Sequence, residues 1–577
     1  MIPKFSLSSC RHAAIGLLAG LGVTAHAAEP PAMPPPGSAA PVAQKKLERI
    51  TIDGLVPYER ATQPIKDDQG RIRIIVDFMD EAQAPYAEAA REAFERFEPG
   101  RDRHNPQALL LLDAKSRQYG IEPVYRRNER GEQERAEVTT WLGASFAAYL
   151  TPTQIDAQRR DEVVRLLTED HPTGLSAPPP PWYPSWNGPD WTELNDWGWT
   201  AVGGKSVIDV KPEGSNRVVW IVDNGVAHHS DLPSVVSSYN VDGYSTVGCY
   251  AHATHVAGII GAASGNGEGR RGVYAGVQMR SINGGAETLL YMGDKCALGF
   301  GTVSGSSTAY GLGVALDYIF ANSIVAYGNN TGPHVVNISM NGGTETGFSV
   351  NGYAMSNQPR VAGLAQPSSG YPTWLHIYPG NVVVQSAGNI NQNACNNSVT
   401  VYLPNGTTAT QNATYIYKPT AVSTTTDPAD GMLVVGALNS DGQRASPFSP
   451  AYPDVGGTPF TDPGSNYGDC IDIWAPGNFI YSTWGEGNDR TDQSVPYGGG
   501  QPSNCSSGIC TSPPEKGWAH LSGTSMAAPH VAAAAAYYID KYGLTTPAQV
   551  EQMLRSTATG SPGNTSLPSG LNMVQLQ

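Results

Sequence analysis

The chain of 577 residues is long enough for about three average domains, and its 40% hydrophobic content can fill a large core. Gly (65) and Pro (45) are abundant without a Gly-X-Y period, which excludes collagen. With 36 basic against 51 acidic side chains the net charge is −15, and the broad basic face of a nucleic-acid binder is excluded.

At the N-terminus Lys4 and Arg11 precede an apolar run, Ala13 to Ala25, and Ala25-His26-Ala27 fits a small-x-small cleavage site. This is the order of a secretory signal peptide over 1–27, too short to span a bilayer comfortably, so export without a membrane anchor is expected. Residues 28–44 are Pro/Ala-rich and read as a linker. Residues 45–170 carry 20 Lys/Arg and 24 Asp/Glu, dense charge that marks a small solvated module. Within it Arg71–Phe78 reads as a strand and Tyr86–Phe97 as a helix; Ala144–Asp170 reads strand, helix (Thr153–Arg160), strand. Residues 171–204 hold Pro178–Pro181 and the tryptophans Trp182, Trp186 and Trp191, a stretch unfit for central secondary structure and placed as a junction.

Beyond the junction the charge thins and the pattern becomes α/β. Apolar runs suited to buried parallel strands occur at Val218–Val222, Val335–Met340, Val382–Gln385, Leu433–Ala437 and Ile471–Ala475. Helical segments His255–Ala263 and Thr308–Ala321 lie between them. Strands alternating with helices predict an α/β fold, a mostly parallel sheet with helices on both faces. Stretches near 341–378, 390–430 and 485–517 read as surface insertions. Six cysteines follow the signal: Cys249, Cys296, Cys395, Cys470, Cys505 and Cys510. An even count in an exported chain favours three disulfides over zinc, since no CxxC pair occurs. The pairings expected are Cys249–Cys296, Cys395–Cys470 and Cys505–Cys510.

Three segments carry chemistry. Asp223 directly follows a buried strand and precedes an Asn-Gly turn, so its carboxylate faces the crevice where such folds bind ligands. His252, in His252-Ala253-Thr254-His255-Val256-Ala257-Gly258, stands near a helix start and suits a general base whose tautomer a carboxylate fixes. Ser525, in Ser522-Gly523-Thr524-Ser525-Met526-Ala527-Ala528-Pro529-His530, opens a helix running to Tyr542, where backbone N–H groups and the positive dipole end favour a developing oxyanion. Singly these read as a turn aspartate, a capping histidine and a serine N-cap. Together, in the chain order Asp, His, Ser, they form one arrangement of the serine triad. The tandem His228-His229 reads as a surface turn after the aspartate loop.

These segments resemble those of the subtilisin-like serine endopeptidases, the subtilase family, over about residues 205–560. The resemblance implies a secreted zymogen: a small α+β inhibitory propeptide at 45–170, maturation cleavage within 171–204, and a catalytic domain at 205–577. It implies Asp223, His252 and Ser525 as the triad, Asn389 after Val382–Gly388 as the oxyanion donor, and Val335, Val336, Asn337, Ile338 and Ser339 as a strand lining the specificity pocket and pairing with substrate backbone. It implies protein or peptide substrates, the propeptide as intramolecular inhibitor, no nucleic-acid partner and a monomer. No cofactor is required for the chemistry; the acidic, Asn-rich loops permit structural calcium, with no ligands assigned. Departures from the family pattern are Asn224, Ala253, Ala533 and Met340-Asn341, of which Asn341 bears on the substrate strand. A different hydrolase is opposed by the absence of a Gly-x-Ser-x-Gly elbow, and a dead scaffold by the presence of all four catalytic residues.

Overall fold

The computed structural model describes most of residues 67–170 and 196–240, most of 252–283, 309–341, 357–367, 379–418, 428–448, 464–483, 518–560 and 572–576, and short segments elsewhere, among them 52–53, 174–175 and 505–510. Lys45–Gln577 forms one compact unit. The signal and linker segments, the junction prolines and tryptophans, Asn224, His228, Cys249 and Cys296 lie outside the described residues.

The N-terminal module contains β1 (Ile72–Phe78), α1 (Ala87–Glu95), α2 (Pro106–Tyr119), β2 (Val138–Thr139), β3 (Ser145–Leu150), α3 (Pro152–Arg159) and β4 (Val164–Glu169). Its antiparallel sheet has the order β2-β3-β1-β4. Ile74, Val76, Phe78, Leu111, Leu112, Phe146 and Leu167 form its core. Helix α2 has strong end signals: Asn105 accepts hydrogen bonds from the N–H groups of Gln107 and Ala108, Pro106 opens the first turn, and Gly120 closes it at φ +62°. After the module a two-residue strand, β5 (Gly174–Leu175), and a short helix, α4 (Trp197–Ala201), follow.

The larger part is built on β6 (Val218–Asp223), β7 (Val235–Asn240), α5 (His252–Gly261), β8 (Gln278–Asn283), α6 (Ala309–Tyr327), β9 (Val335–Ile338), β10 (Met340–Asn341), α7 (Gln358–Ala365), β11 (Val382–Ser386), β12 (Met432–Leu438), β13 (Ile473–Pro476), β14 (Ile480–Thr483), β15 (Trp518–Leu521), α8 (Thr524–Tyr542), α9 (Pro547–Thr557), β16 (Thr559–Gly560) and β17 (Asn572–Met573). The main sheet runs β7-β8-β6-β9-β11-β12-β13-β17-β16, parallel throughout except for β16 against β17. The alternation of a pleated strand sends successive side chains to opposite faces. Val219, Ile221, Val382, Val384, Val435 and Ala475 pack with α5, α8 and α9. Val218, Trp220, Val222, Val336, Ile338 and Val383 pack with α6 and α7. Helices therefore cover both faces, which is why the strands read as continuous apolar runs rather than alternating ones.

The run Val335–Met340 is not one strand: Ser339 interrupts it between β9 and β10. Strand β9 is also internal, bonded to β6 on one edge and β11 on the other, so the backbone of Val335, Val336, Asn337 and Ile338 has no edge to offer a substrate. The usable edge begins at Met340–Asn341, where β5 already pairs antiparallel, Met340 with Leu175 and Asn341 with Gly174. Likewise, the segment 341–378 is not wholly a surface insertion. It contains α7, whose Val361, Leu364 and Ala365 are buried in the second-face core.

Candidate active site

Asp223 ends β6, the strand from which the chain departs to β8 and β7 on one side and, later, to β9 on the other. Clefts at the carboxyl ends of parallel strands open at such a reversal. Asp223 is buried, and its carboxylate accepts from His252 Nδ1 at 2.9 Å (Oδ1) and 2.8 Å (Oδ2). A buried carboxylate facing Nδ1 assigns the proton to that nitrogen and leaves the lone pair on Nε2. His252 Nε2 is buried without a hydrogen-bond partner among the described residues. His252 is the first residue of α5, which starts three residues before the helix expected from sequence. Gly258 lets α5 lie against β14: a Cβ there would fall 2.3 Å from both Ser482 Oγ and Thr483 Oγ1.

Ser525 is the second residue of α8, which packs against α5. Its N–H belongs to the first turn, where a helix has no acceptor of its own to offer. The turn into α8 is held by Gly477, whose carbonyl accepts from Gly523 N at 2.7 Å, and by Ser522 Oγ, which accepts from Phe479 N at 2.8 Å. Pro529, four residues after Ser525, has no N–H to give the Ser525 carbonyl. The hydroxyl of Ser339 supplies that bond at 3.2 Å, and Ser525 Oγ donates in return to the Ser339 carbonyl at 2.9 Å. Asn337 Nδ2 donates to Ser339 Oγ at 2.9 Å. The serine hydroxyl is thus turned toward β9's end rather than toward His252 Nε2. A hydroxyl rotor can exchange one such partner for another by rotation about χ1.

Asn389 follows β11. Its Oδ1 accepts from Thr524 N at 2.9 Å and Thr524 Oγ1 at 2.8 Å, while Thr524 Oγ1 accepts from Gly388 N at 3.0 Å. The oxygen end of the carboxamide is anchored, so its donor end is the one that can serve an anion near Ser525. Gly388, at φ +102°, makes the bend that brings Asn389 to the helix. Thr524 and its link to Asn389 had no separate signal in the sequence beyond lying next to Ser525.

Of the expected disulfides, Cys395–Cys470 is formed. Cys505 and Cys510 are register partners in a short antiparallel ladder. His229 is not part of a surface turn: it is 3% exposed, its Nδ1 accepts from Asp231 N at 3.1 Å, and its ring stands edge-on to Trp518. Among the described residues, no cluster of three or more His, Cys, Asp or Glu side chains could hold a metal ion, and no helix is long and apolar enough to cross a membrane.

Residues 214–571 match the sequence model of the subtilase family. The chain is similar to alkaline serine exoprotease A of Vibrio alginolyticus, 26% identical over 60% of this chain and 43% of that protein. It is similar to an extracellular serine proteinase of Thermus sp. (strain Rt41A), 27% identical over 60% of this chain and 56% of that one. The chain thus spans about half the length of these relatives. Among solved structures it resembles fervidolysin from Fervidobacterium pennivorans, with 20% identity, a TM-score of 0.47, and coverage of 92% of this chain and 64% of that chain.

Proposed function

Because the chain belongs to the subtilase family, we propose that it is a secreted serine endopeptidase that hydrolyses peptide bonds in protein substrates and is made as a self-processing zymogen. The observation that carries this reading is the Asp223–His252 pair, which leaves His252 Nε2 without a hydrogen-bond partner among the described residues, on a helix packed against the one whose first turn holds Ser525.

Ser525 Oγ leaves the Ser339 carbonyl and attacks the scissile carbonyl carbon, while His252 Nε2 takes its proton. Asp223 stays ionised and stabilises the imidazolium through Nδ1–H. The carbonyl oxygen becomes an oxyanion, which accepts from the Asn389 carboxamide and the Ser525 N–H at the positive end of α8. His252 Nε2–H then protonates the departing amine as the C–N bond breaks, leaving an acyl group on Ser525. Water, deprotonated by His252, hydrolyses that ester and regenerates the serine. No cofactor enters these steps; calcium bound by the acidic, Asn-rich loops would serve stability.

The substrate's extended backbone would add to the edge at Met340–Asn341, a β-augmentation mode in which main-chain bonds give affinity. Support for this comes from β5, which holds that edge now. Residues 45–170 would act as chaperone and inhibitor, with Gly174–Leu175 as the tail in the cleft and cleavage between about residues 170 and 205. A signal peptide over 1–27 would export the chain, and the enzyme would work as a monomer.

Purified Ser525→Ala should lose casein hydrolysis by about 10⁶ in turnover while keeping its fold, the loss known for the equivalent change in subtilisin, a member of this family. Casein cleavage at the wild-type rate by the variant would refute the assignment. Wild-type protein that cleaved only short-chain esters and no casein would point to an esterase.

A further inference from the structure

We propose that Asn466, which lies in none of the chemistry-bearing segments, is the positioning residue that holds the Asn389 carboxamide in place for catalysis; this rests on the reading of Asn389 as oxyanion donor. Asn389 sits in an irregular loop, not on a strand. Gly388 before it and Asn391 after it both have positive φ, at +102° and +53°. A loop of that kind cannot set its own geometry to the fraction of an ångström an oxyanion donor needs, so its backbone groups must be fixed from outside.

Asn466 is fully buried and reaches both sides of Asn389. Its backbone N–H donates to the Gly388 carbonyl at 2.8 Å, and its Nδ2 donates to the Ala387 carbonyl at 2.9 Å. Its Oδ1 accepts from Gln392 N at 3.0 Å. Two of these bonds grip the residues before Asn389 and one grips the chain after it. Asn is the side chain that fits: it carries a donor and an acceptor on one short planar group, whereas Asp would set a second acceptor against the Ala387 carbonyl.

The clamp is itself tied to the sheet. Ser465 Oγ accepts from Ala437 N on β12 at 2.9 Å and donates to the Asn466 carbonyl at 2.9 Å. On either side Gly464 N donates to the Asn389 carbonyl at 3.2 Å and Tyr467 N to the Gln392 carbonyl at 3.0 Å. Asn389 is therefore caught between Thr524 at its side chain and the 464–467 segment at its backbone.

The test is a double-mutant cycle on the full chain: wild type, Asn466→Ala, Asn389→Leu and the double variant, with kcat and KM measured on a peptide substrate per fluorophosphonate-titrated serine. Asn466→Ala should lower kcat by about 10- to 100-fold with KM within about twofold, the size of effect a displaced catalytic group produces. In the Asn389→Leu background the same change should cost less than about threefold, because its route to the chemistry is gone. A wild-type kcat for Asn466→Ala, or losses that simply multiply in the double variant, overturns the proposal. If Asn389→Leu itself keeps full kcat, the oxyanion reading fails and takes the proposal with it. Should Asn466→Ala not fold, Asn466→Asp, of nearly equal volume, carries the same test: a kcat loss of tenfold or more at unchanged KM supports the clamp, and an unchanged kcat overturns it.

Discussion

The reciprocal bonds between Ser339 and Ser525 show how one residue's chemistry depends on the lack of an atom in another. Pro529 removes the N–H that would have closed the helix ladder on the Ser525 carbonyl, and Ser339 takes its place. Two buried histidines make a prediction about acid. Burial, with Arg217 and Arg280 nearby, pushes His334 down to about 3, and burial beside Arg270 pushes His530 down to about 3. Above pH 6.5 neither the folded nor the unfolded chain protonates them, so their contribution to stability is complete. As pH falls from 6.5 toward about 3, the unfolded chain takes up a proton at each while the folded chain does not, and stability falls. In a Ser525→Ala background, which cannot digest itself, the urea midpoint should drop across this window, and His530→Gln should flatten the slope by up to one proton. An identical slope in the variant would show that His530 is not buried neutral. Asp223, His252 and Ser525 stand out at this scale because three residue types in one chain order leave few alternatives. Thr524 and Asn466 do not, because much of their grip on the Asn389 loop is made through backbone groups, which carry no residue signature.

At the scale of elements, periodicity located the buried strands and the helices over them, and the ends moved where local chemistry differed. Helix α5 begins at His252 rather than at His255, which puts His252 on the helix itself. Helix α2 carries its signal at its ends, in Asn105, Pro106 and Gly120, rather than in a continuous apolar stripe. Helix α7 was hidden because Gly, Asn and Ser around it suggested an exposed insertion, while its apolar face is core. The break at Ser339 could not be read from an apolar run, since register and edge pairing are decided by the neighbouring strands. The Cys395–Cys470 bond closes a separation of 75 residues and pins the far end of the loop that starts at Asn389. Replacing both cysteines with alanine should cost about 4 kcal/mol by the chain-entropy estimate for a loop of that length. Equilibrium unfolding in urea of the Ser525→Ala chain with and without the change measures this; an unchanged midpoint would show the bond to be dispensable.

For the molecule as a whole, the N-terminal module is keyed to the α6–α7 face by buried charge. Arg360 on α7 meets Asp77 on β1 at 2.7 Å with both side chains about 1% exposed, and also donates to Ser145 Oγ at 2.8 Å. The Asp317 carboxylate on α6 accepts from the N–H groups of Thr140, Trp141 and Leu142 at 2.9, 2.7 and 2.7 Å. Removing one partner of a buried pair strands the other charge, so Arg360→Leu should weaken the module's hold by well over tenfold. Inhibition of mature enzyme by added 45–170 fragment measures this, and equal inhibition of wild type and variant would contradict it. Wild type should yield a mature chain beginning between about residues 170 and 205, while Ser525→Ala made in a protease-deficient host stays joined; efficient processing of that variant would assign the cut to another protease. This docking is not legible in the sequence, because Asp77, Asp317 and Arg360 look like ordinary surface charges until the fold brings them together.

The proposed chemistry turns on Ser525 as a nucleophile activated by His252 and Asp223. Labelling the wild-type protein with a fluorophosphonate and mapping the adduct by mass spectrometry tests it directly. One phosphonyl group on Ser525, absent from Ser525→Ala and formed far more slowly in His252→Ala, is the result predicted. A wild-type chain left unlabelled, or an adduct mapped to any other residue, would contradict it.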